Sequence, residues 1–417
     1  MSHPLMINHS AVTTGAALRL SGASWAEPDL DFAPDVTRYG APGLRVLFLY
    51  LAQPHQVPHS LPLAIEMARQ HREVEVTIAT TTAAQQAVAR RIAEAYGDSP
   101  LQWVDLKVPR LAQWLGGLVG TVPFKQPVLW ANRKWLDGFD GIVVPERTSL
   151  CLKSMGVRAP LIWTSHGAGD RAVGYASDLA KFDFALLAGA KQEKRMLESG
   201  LIRPGRYHVG CYPKFDLVFK QPFNTAPLFD NGRKTVLYNP HFRHSLSSWK
   251  RDGLAILDWF AQQDRYNLIF APHLRLFEKG ASGELAERLQ RYRDLPHLHI
   301  DLGSERSIDM TYTRAADIYL GDVSSQVTEF VVKPRPCVFI NSHDVQWRNS
   351  PDYLFWNIGP VIDRLEQLPQ ALETAHHLHW SKLQRDYFAE SFSLLPGAPT
   401  APRSAEAIVS FLQSARA

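Results

Sequence analysis

Apolar and polar positions follow two alternating periods along most of the chain. LRVLFLYLAQ (44–53) is apolar at nearly every position, as a parallel strand covered on both faces should be. SLPLAIEMARQ (60–70) has helical spacing. EVEVTIATT (73–81) alternates and is rich in β-branched residues, which predicts a strand. AAQQAVARRIAEAYG (83–97) predicts a helix ended by Gly97, and LQWVDLKV (101–108) a third strand. The alternation continues through GIVVPE (141–146), TSLCLKSMG (148–156), PLIWTSHG (160–167), FDFALLAG (182–189), KQEKRMLESG (191–200) and RYHVGCYPKFD (206–216). A second series then follows. Its predicted strands are 235–242, 266–274, 298–303, 317–322 and 336–342, and its predicted helices are 248–263, 281–293, 324–333, 364–377 and 403–415.

Strands alternating with helices imply right-handed crossovers and parallel sheets. Between the two series, 217–234 (LVFKQPFNTAPLFDNGRK) is rich in Pro, Asn and Gly and predicts a linker. The expected organisation is an irregular leader at 1–43, a Rossmann-like domain at 44–216, that linker, and a second Rossmann-like domain at 235–417 whose C-terminal helices return to the first. Two such α/β domains facing a cleft make the GT-B architecture, in which ligands bind beyond the carboxyl ends of the strands.

Composition narrows the function class. The 417 residues exceed what one core usually serves; 45% are hydrophobic and 21% charged, as in ordinary globular proteins. The net charge of +4 permits anionic substrates or lipid headgroups but does not suggest nucleic acid. Cys151, Cys211 and Cys337 are far apart, with no zinc-type spacing, so reduced thiols in a cytoplasmic protein are expected. No secretory pattern opens the chain, and no apolar run approaches the roughly 20 residues that span a bilayer.

Four polar clusters fall where predicted strands end. In WTSHGAGDR (163–171), His166 can reach a cleft and take a proton near neutral pH, or serve as a hydrogen-bonded structural residue; Gly167 and Gly169 suit a tight turn. In YNPHFRHSLSSW (238–249), His241 or Arg243 suits a phosphate, and Ser245, Ser247 or Ser248 a helix cap. In FAPHLRL (270–276), His273 and Arg275 offer charge-assisted hydrogen bonds to a diphosphate. In DIYLGDVSSQVTEF (317–330), Ser324 and Ser325 would open a helix whose free N–H groups attract an anion. Glu329, about one turn further, suits ribose hydroxyls, and Asp322 or Ser324 serves equally as a plain cap.

In that order the clusters resemble the CDP-glycerol glycerophosphotransferase family, GT-B-like enzymes of teichoic-acid and capsule-type polymer synthesis. His166-Gly167 matches the family's His-Gly after a strand. Tyr238, Pro240, Phe242 and Arg243 match its Tyr-x-Pro-Thr-aromatic-Arg segment, with His241 in place of Thr. His273 matches its Lys-x-His-Pro histidine, with Ala271 and Leu274 in place of Lys and Pro. Gly321-Asp322-Val323-Ser324-Ser325 keeps the Asp and both serines of Thr-Asp-Tyr-Ser-Ser. VGCYPKFD (209–216) is similar to its Gly-x-Pro-Arg-x-Asp turn, with Lys214 for Arg. The similarity spans about 140–345. The last cluster also resembles UDP-N-acetylglucosamine 2-epimerase, where a Glu at the place of Glu329 holds the ribose; that enzyme has Ser-Gly-Gly where this chain has Val323-Ser324-Ser325.

The resemblance implies a transferase that takes a nucleotide-diphosphate donor, CDP-glycerol-like, and passes glycerol phosphate or a sugar to a cell-envelope polymer or lipid-linked acceptor. It implies His166 as the base toward the acceptor hydroxyl, and His273, Arg243, Ser324 and Ser325 as ligands of the donor diphosphate. No DxD-type metal signature is present, so neither metal nor other cofactor is expected. A nucleotide-sugar glycosyltransferase, a 2-epimerase and a nucleotide- or polymer-binding protein without catalysis are the alternatives.

On the acceptor side, 107–136 combines Trp114, Trp130 and Trp135 with Lys107, Arg110, Lys125, Arg133 and Lys134. Such a stretch suits a membrane surface at the inner face of the plasma membrane, a sugar platform, or a helix packed on the sheet by its aromatic face.

Overall fold

The computed structural model describes residues 43–416 apart from 120–121 and 221–227. The expected leader at 1–43 therefore lies outside the described residues, save Gly43, as does the middle of the expected linker.

Among the described residues, thirteen strands form two sheets. The first contains β1 (Leu44–Tyr50), β2 (Val74–Thr80), β3 (Leu101–Asp105), β4 (Gly141–Val144), β5 (Leu161–Thr164), β6 (Phe184–Leu187) and β7 (Tyr207–Val209), in the order β3-β2-β1-β4-β5-β6-β7. The second contains β8 (Lys234–Asn239), β9 (Tyr266–Phe270), β10 (Leu298–Ile300), β11 (Ile318–Gly321), β12 (Cys337–Ile340) and β13 (Val361–Ile362), in the order β10-β9-β8-β11-β12-β13. Every pairing is parallel. The strand order reverses between β1 and β4 and again between β8 and β11. At such switch points neighbouring crossovers diverge and leave a crevice beyond the strand ends.

The apolar runs are explained by burial on both faces. In β1, Val46, Phe48 and Tyr50 enter one core layer and Leu47 and Leu49 the opposite one. In the second sheet, Val236, Tyr238, Leu268 and Phe270 lie on one face and Leu237 and Ile269 on the other. Each fully buried Leu, Val or Phe contributes about 1.5–3 kcal/mol relative to exposure. The helix Ala83–Tyr96 begins with a reciprocal capping box between Thr82 and Gln85 and stops at Gly97, whose φ of 83° needs no Cβ.

The chain returns to the first sheet at its end. Ala401, Ala405, Ile408 and Leu412 of the helix Thr400–Arg416 pack into the core around β1 and β2, and Phe411 stacks on Phe184 at 4.7 Å. The Asp216 carboxylate caps this helix, accepting from Thr400 N and Ala401 N at 2.8 and 2.6 Å.

Among the elements that differ from the sequence pattern is the helix Leu378–Ser391, which no expected element covers. The helix Pro213–Lys220 occupies the first part of the expected linker, because Leu217 and Val218 bury apolar side chains there. The expected helix over 324–333 is only Gln326–Phe330. The expected helix over 364–377 is a 3-10 turn, Leu365–Gln367, followed by a helix at Leu368–Thr374. Among the described residues no helix is long and apolar enough to cross a membrane.

Candidate functional site

A cleft of about 590 Å³ opens between the carboxyl ends of the two sheets. Each wall is made of turns that directly follow strands: 54–59 after β1, 146–148 after β4 and 165–171 after β5, facing 241–243 after β8, 273–275 after β9 and 323–329 after β11. Seven of the eight sequence candidates share it: His166, His241, Arg243, His273, Ser324, Ser325 and Glu329 all line the cleft.

His166 reaches into the cleft from the first sheet. Its Nδ1 lies 2.7 Å from the Pro145 carbonyl, which can only accept, so Nδ1 carries the ring proton and Nε2 is a free acceptor. The ring is open to the cleft yet walled by protein. That desolvation lowers its pKa below 6.5 against the opposing pull of the Pro145 carbonyl and Glu146. It is neutral at pH 7, the form a base requires.

His273 has the opposite proton placement. Its Nδ1 accepts the Arg275 backbone N–H at 3.2 Å, which puts the proton on Nε2 as a donor. Burial, then the nearby His241, Arg275 and Arg171, lower its pKa to about 3. His241 is held likewise: Nδ1 accepts Arg243 N–H at 2.9 Å, and burial, Arg171 and Arg243 lower its pKa to about 3. Its Nε2 lies 2.6 Å from Nη1 of Arg171, which can only donate, so both ring nitrogens of His241 face N–H donors. His241 therefore holds Arg171 and the Arg243 turn in place, and the arginines supply the donors for an anionic oxygen.

The charge balance of the cleft is positive. Its three carboxylates each have a cation: Glu146 has Lys125, Asp170 has Lys191, and Glu329 has Lys214. Among the described residues, no carboxylate forms an ion pair with Arg171 or Arg243. Arg275 stacks over Phe242 at 4.3 Å and lies only at the edge of reach of Glu278, at 3.9 Å.

Four sequence expectations change. Asp322 does not line the cleft. It is buried and binds inward, its Oδ1 accepting from Val323 N and His241 N at 2.6 and 3.0 Å and its Oδ2 from Ser248 N and Ser248 Oγ at 2.7 and 3.0 Å. Burial raises its pKa and these hydrogen bonds oppose the rise. It positions the turn that carries His241 and Arg243. Glu329 does line the cleft, but both its oxygens lie 2.8 Å from Lys214 Nζ and one accepts from Tyr212 OH at 2.7 Å. Ribose hydroxyls would have to compete with that ion pair. The helix after Ser324 and Ser325 has five residues, too few for a strong dipole, and Ser324 Oγ already accepts from Gln326 N at 3.3 Å. Anion attraction therefore falls to the arginines. Gly167 and Gly169 do not need positive φ; a Cβ on either would press on Ser325 at 3.2–3.3 Å, so their role is close approach between the two walls.

The cleft also holds residues outside the sequence candidates: Arg171, Lys214, His55, Gln56 and His59. PHQVPH (54–59) obeys the same strand-end pattern as the four chosen clusters, so a local signal existed. Arg171 ends the WTSHGAGDR cluster and so carried that signal too, but only the apposition of the walls brings it to His241. Beside the cleft lies a cavity of about 250 Å³ that shares Gln53, Lys125, Thr148 and Arg275 with it. Its rim leads to exposed apolar side chains on the helices Arg110–Val119 and Lys125–Leu136 and at the junction before the second: Trp114 is 63% exposed, Leu111 49%, Trp130 46% and Phe124 45%. Trp135 instead packs on Phe139 at 4.8 Å.

No family model and no curated protein matches the chain. Solved structures do match it in fold. A Listeria monocytogenes protein assigned as a UDP-N-acetylglucosamine 2-epimerase aligns over 90% of this chain and 98% of its own, at 13% identity and a TM-score of 0.62. The UDP-GlcNAc 2-epimerase of Neisseria meningitidis, solved bound to UDP-GlcNAc, aligns over 89% and 100%, at 14% identity and 0.55. The wall teichoic acid polymerase TagF, solved with CDPG, aligns over 89% and 88%, at 11% identity and 0.57. The chain therefore has the GT-B fold of two Rossmann-like domains.

Proposed function

We propose that the cleft binds a nucleoside diphosphate carrying a transferable group, and that the protein passes glycerol phosphate or a sugar from a CDP-glycerol-like donor to the hydroxyl of a cell-envelope polymer or lipid-linked acceptor. The observation that carries this reading is the opposed proton placement across the cleft. His166 offers a free acceptor nitrogen on one wall. On the other, His273 offers an N–H donor among Arg171, Arg243 and Arg275.

Donors and cations suit the charge that grows on a departing phosphate, and a neutral imidazole suits the proton of an attacking hydroxyl. In this scheme His166 Nε2 takes the acceptor's proton as the hydroxyl oxygen bonds to the donor, and the bond to the nucleotide phosphate breaks. The electron pair leaves on the phosphate, beside the arginines. Ser325 borders the same space, Asp322 positions the His241–Arg243 turn, and Lys214–Glu329 fixes the floor. The exposed Trp114–Trp130 surface, with Arg110 and Arg133 on the same helices, is proposed to rest on a membrane carrying the acceptor.

A second reading, a 2-epimerase acting on a uridine donor with no acceptor, is favoured by the fold shared with such enzymes. Thermal melting with CMP, CDP, UMP, UDP, GDP and ADP separates the two, because a ligand of the folded state raises the melting temperature. Selective stabilisation by cytidine nucleotides is expected. Selective stabilisation by uridine nucleotides replaces this reading with a nucleotide-sugar transferase or epimerase, and no stabilisation by any nucleotide refutes both.

A further inference from the structure

The turn Pro54–His59 at the end of β1 contains an unusual set of buried polar atoms. Gln56 is 7% exposed and His59 4%, and Gln56 Oε1, His59 Nδ1 and His55 Nδ1 are all buried without a hydrogen-bond partner. Buried polar groups are paired in the great majority of cases, because an orphan loses its hydration without gaining a partner. Three orphans in one six-residue turn, on residues that all line the same cleft, point to a ligand that supplies the missing partners.

The place and the chemistry of that ligand follow from the neighbours. The His55 ring lies 5.7 Å from that of His273 and 6.4 Å from that of His166, between the donor wall and the free acceptor nitrogen. His59 meets Tyr212 edge-on at 5.4 Å, just above the Lys214–Glu329 floor. Burial keeps both imidazoles well below 6.5 and therefore neutral, helped at His55 by His273, His166 and Lys214 and at His59 by Lys214 and His166. Neutral imidazoles and an amide are poor seats for a phosphate, which the arginines outcompete. They suit hydroxyl groups, which both donate and accept.

We propose that His55, Gln56 and His59 hold, by hydrogen bonds, the uncharged polyhydroxyl group attached beyond the donor's diphosphate, and place it between His273 and His166. This rests on the nucleoside-diphosphate reading of the cleft and adds to it the chemistry of the transferred group and the residues that select it. Glycerol and a hexose share that hydroxyl chemistry, and two donor pairs tell them apart.

The test is calorimetric titration of the full chain with CDP and CDP-glycerol, and with UDP and UDP-N-acetylglucosamine, for the wild type, Gln56→Leu and His59→Leu. Each variant removes hydrogen bonding at similar volume, and if one fails to fold the other reads the same site. The expected result is that the ratio of donor to bare-diphosphate affinity falls about five- to tenfold in each folded variant, while bare-diphosphate affinity stays within about twofold. A fall confined to the CDP-glycerol pair identifies a polyol, and one confined to the UDP pair a sugar. A ratio that stays within about twofold of wild type in the folded variants, with diphosphates still bound, overturns this assignment alone. A wild type that binds none of the four overturns the nucleotide reading and this assignment with it.

Discussion

Asp322→Asn separates a positioning role from a ligand-binding one. The carboxylate accepts from three backbone N–H groups and one hydroxyl, distributed over both oxygens. An asparagine amide replaces one of those oxygens with a donor. With NH₂ at the Oδ2 position, the Ser248 N–H at 2.7 Å loses its acceptor; with NH₂ at the Oδ1 position, the Val323 N–H at 2.6 Å does. Either orientation leaves one buried N–H facing a donor, at about 1–3 kcal/mol. The charge-assisted strength of the remaining bonds is also lost, while removal of a buried charge gives some stability back. The net expectation is about 1–3 kcal/mol of local destabilisation. Hydrogen exchange read by mass spectrometry over 239–249 and 320–327 should therefore accelerate about five- to 150-fold in one of the two segments. Nucleotide affinity should weaken only as far as the His241–Arg243 turn loosens. Unchanged exchange together with lost nucleotide binding would refute the reasoning and restore Asp322 as a direct ligand.

Three further outcomes follow from the site and its rim. His166→Gln should lower turnover of the donor identified above by about 10²–10⁴-fold, with nucleotide affinity within about twofold of wild type. In the wild type, kcat/KM should be level above pH 6.5, where His166 is neutral, and should fall as pH drops through its lowered pKa. An acid limb that survives in His166→Gln assigns the base to another group. Trp114→Ser combined with Trp130→Ser should weaken co-sedimentation with phosphatidylglycerol vesicles about tenfold or more at unchanged melting temperature; equal binding by the double variant removes the membrane role of that surface.

Much of the architecture is legible locally, because period and punctuation are local properties. A strand buried on both faces must be apolar at successive positions, so LRVLFLY and TVLYN announce parallel strands before any partner is known. A polar cluster after such a run must lie at a sheet edge, which is why His166, His241, Arg243 and His273 could be chosen and why the structure gathers them in one cleft. PHQVPH met the same criterion, and its two histidines belong with that group.

Which atom each side chain touches is decided by how the two sheets face each other. Glu329 meets Lys214 across 115 residues of chain, Arg171 meets His241 across 70, and Asp322 turns to Ser248 across 74. No period in the sequence encodes those separations. A carboxylate after a strand can equally bind a ribose, cap a helix or tie a neighbouring turn. The same is true of the chain's end: the spacing of Ala401, Ala405, Ile408 and Leu412 specifies an apolar helical face, but the core of the first sheet supplies its partner. Amphipathic pattern states that a face will be buried. Tertiary packing, through contacts hundreds of residues apart in sequence, selects the surface that buries it.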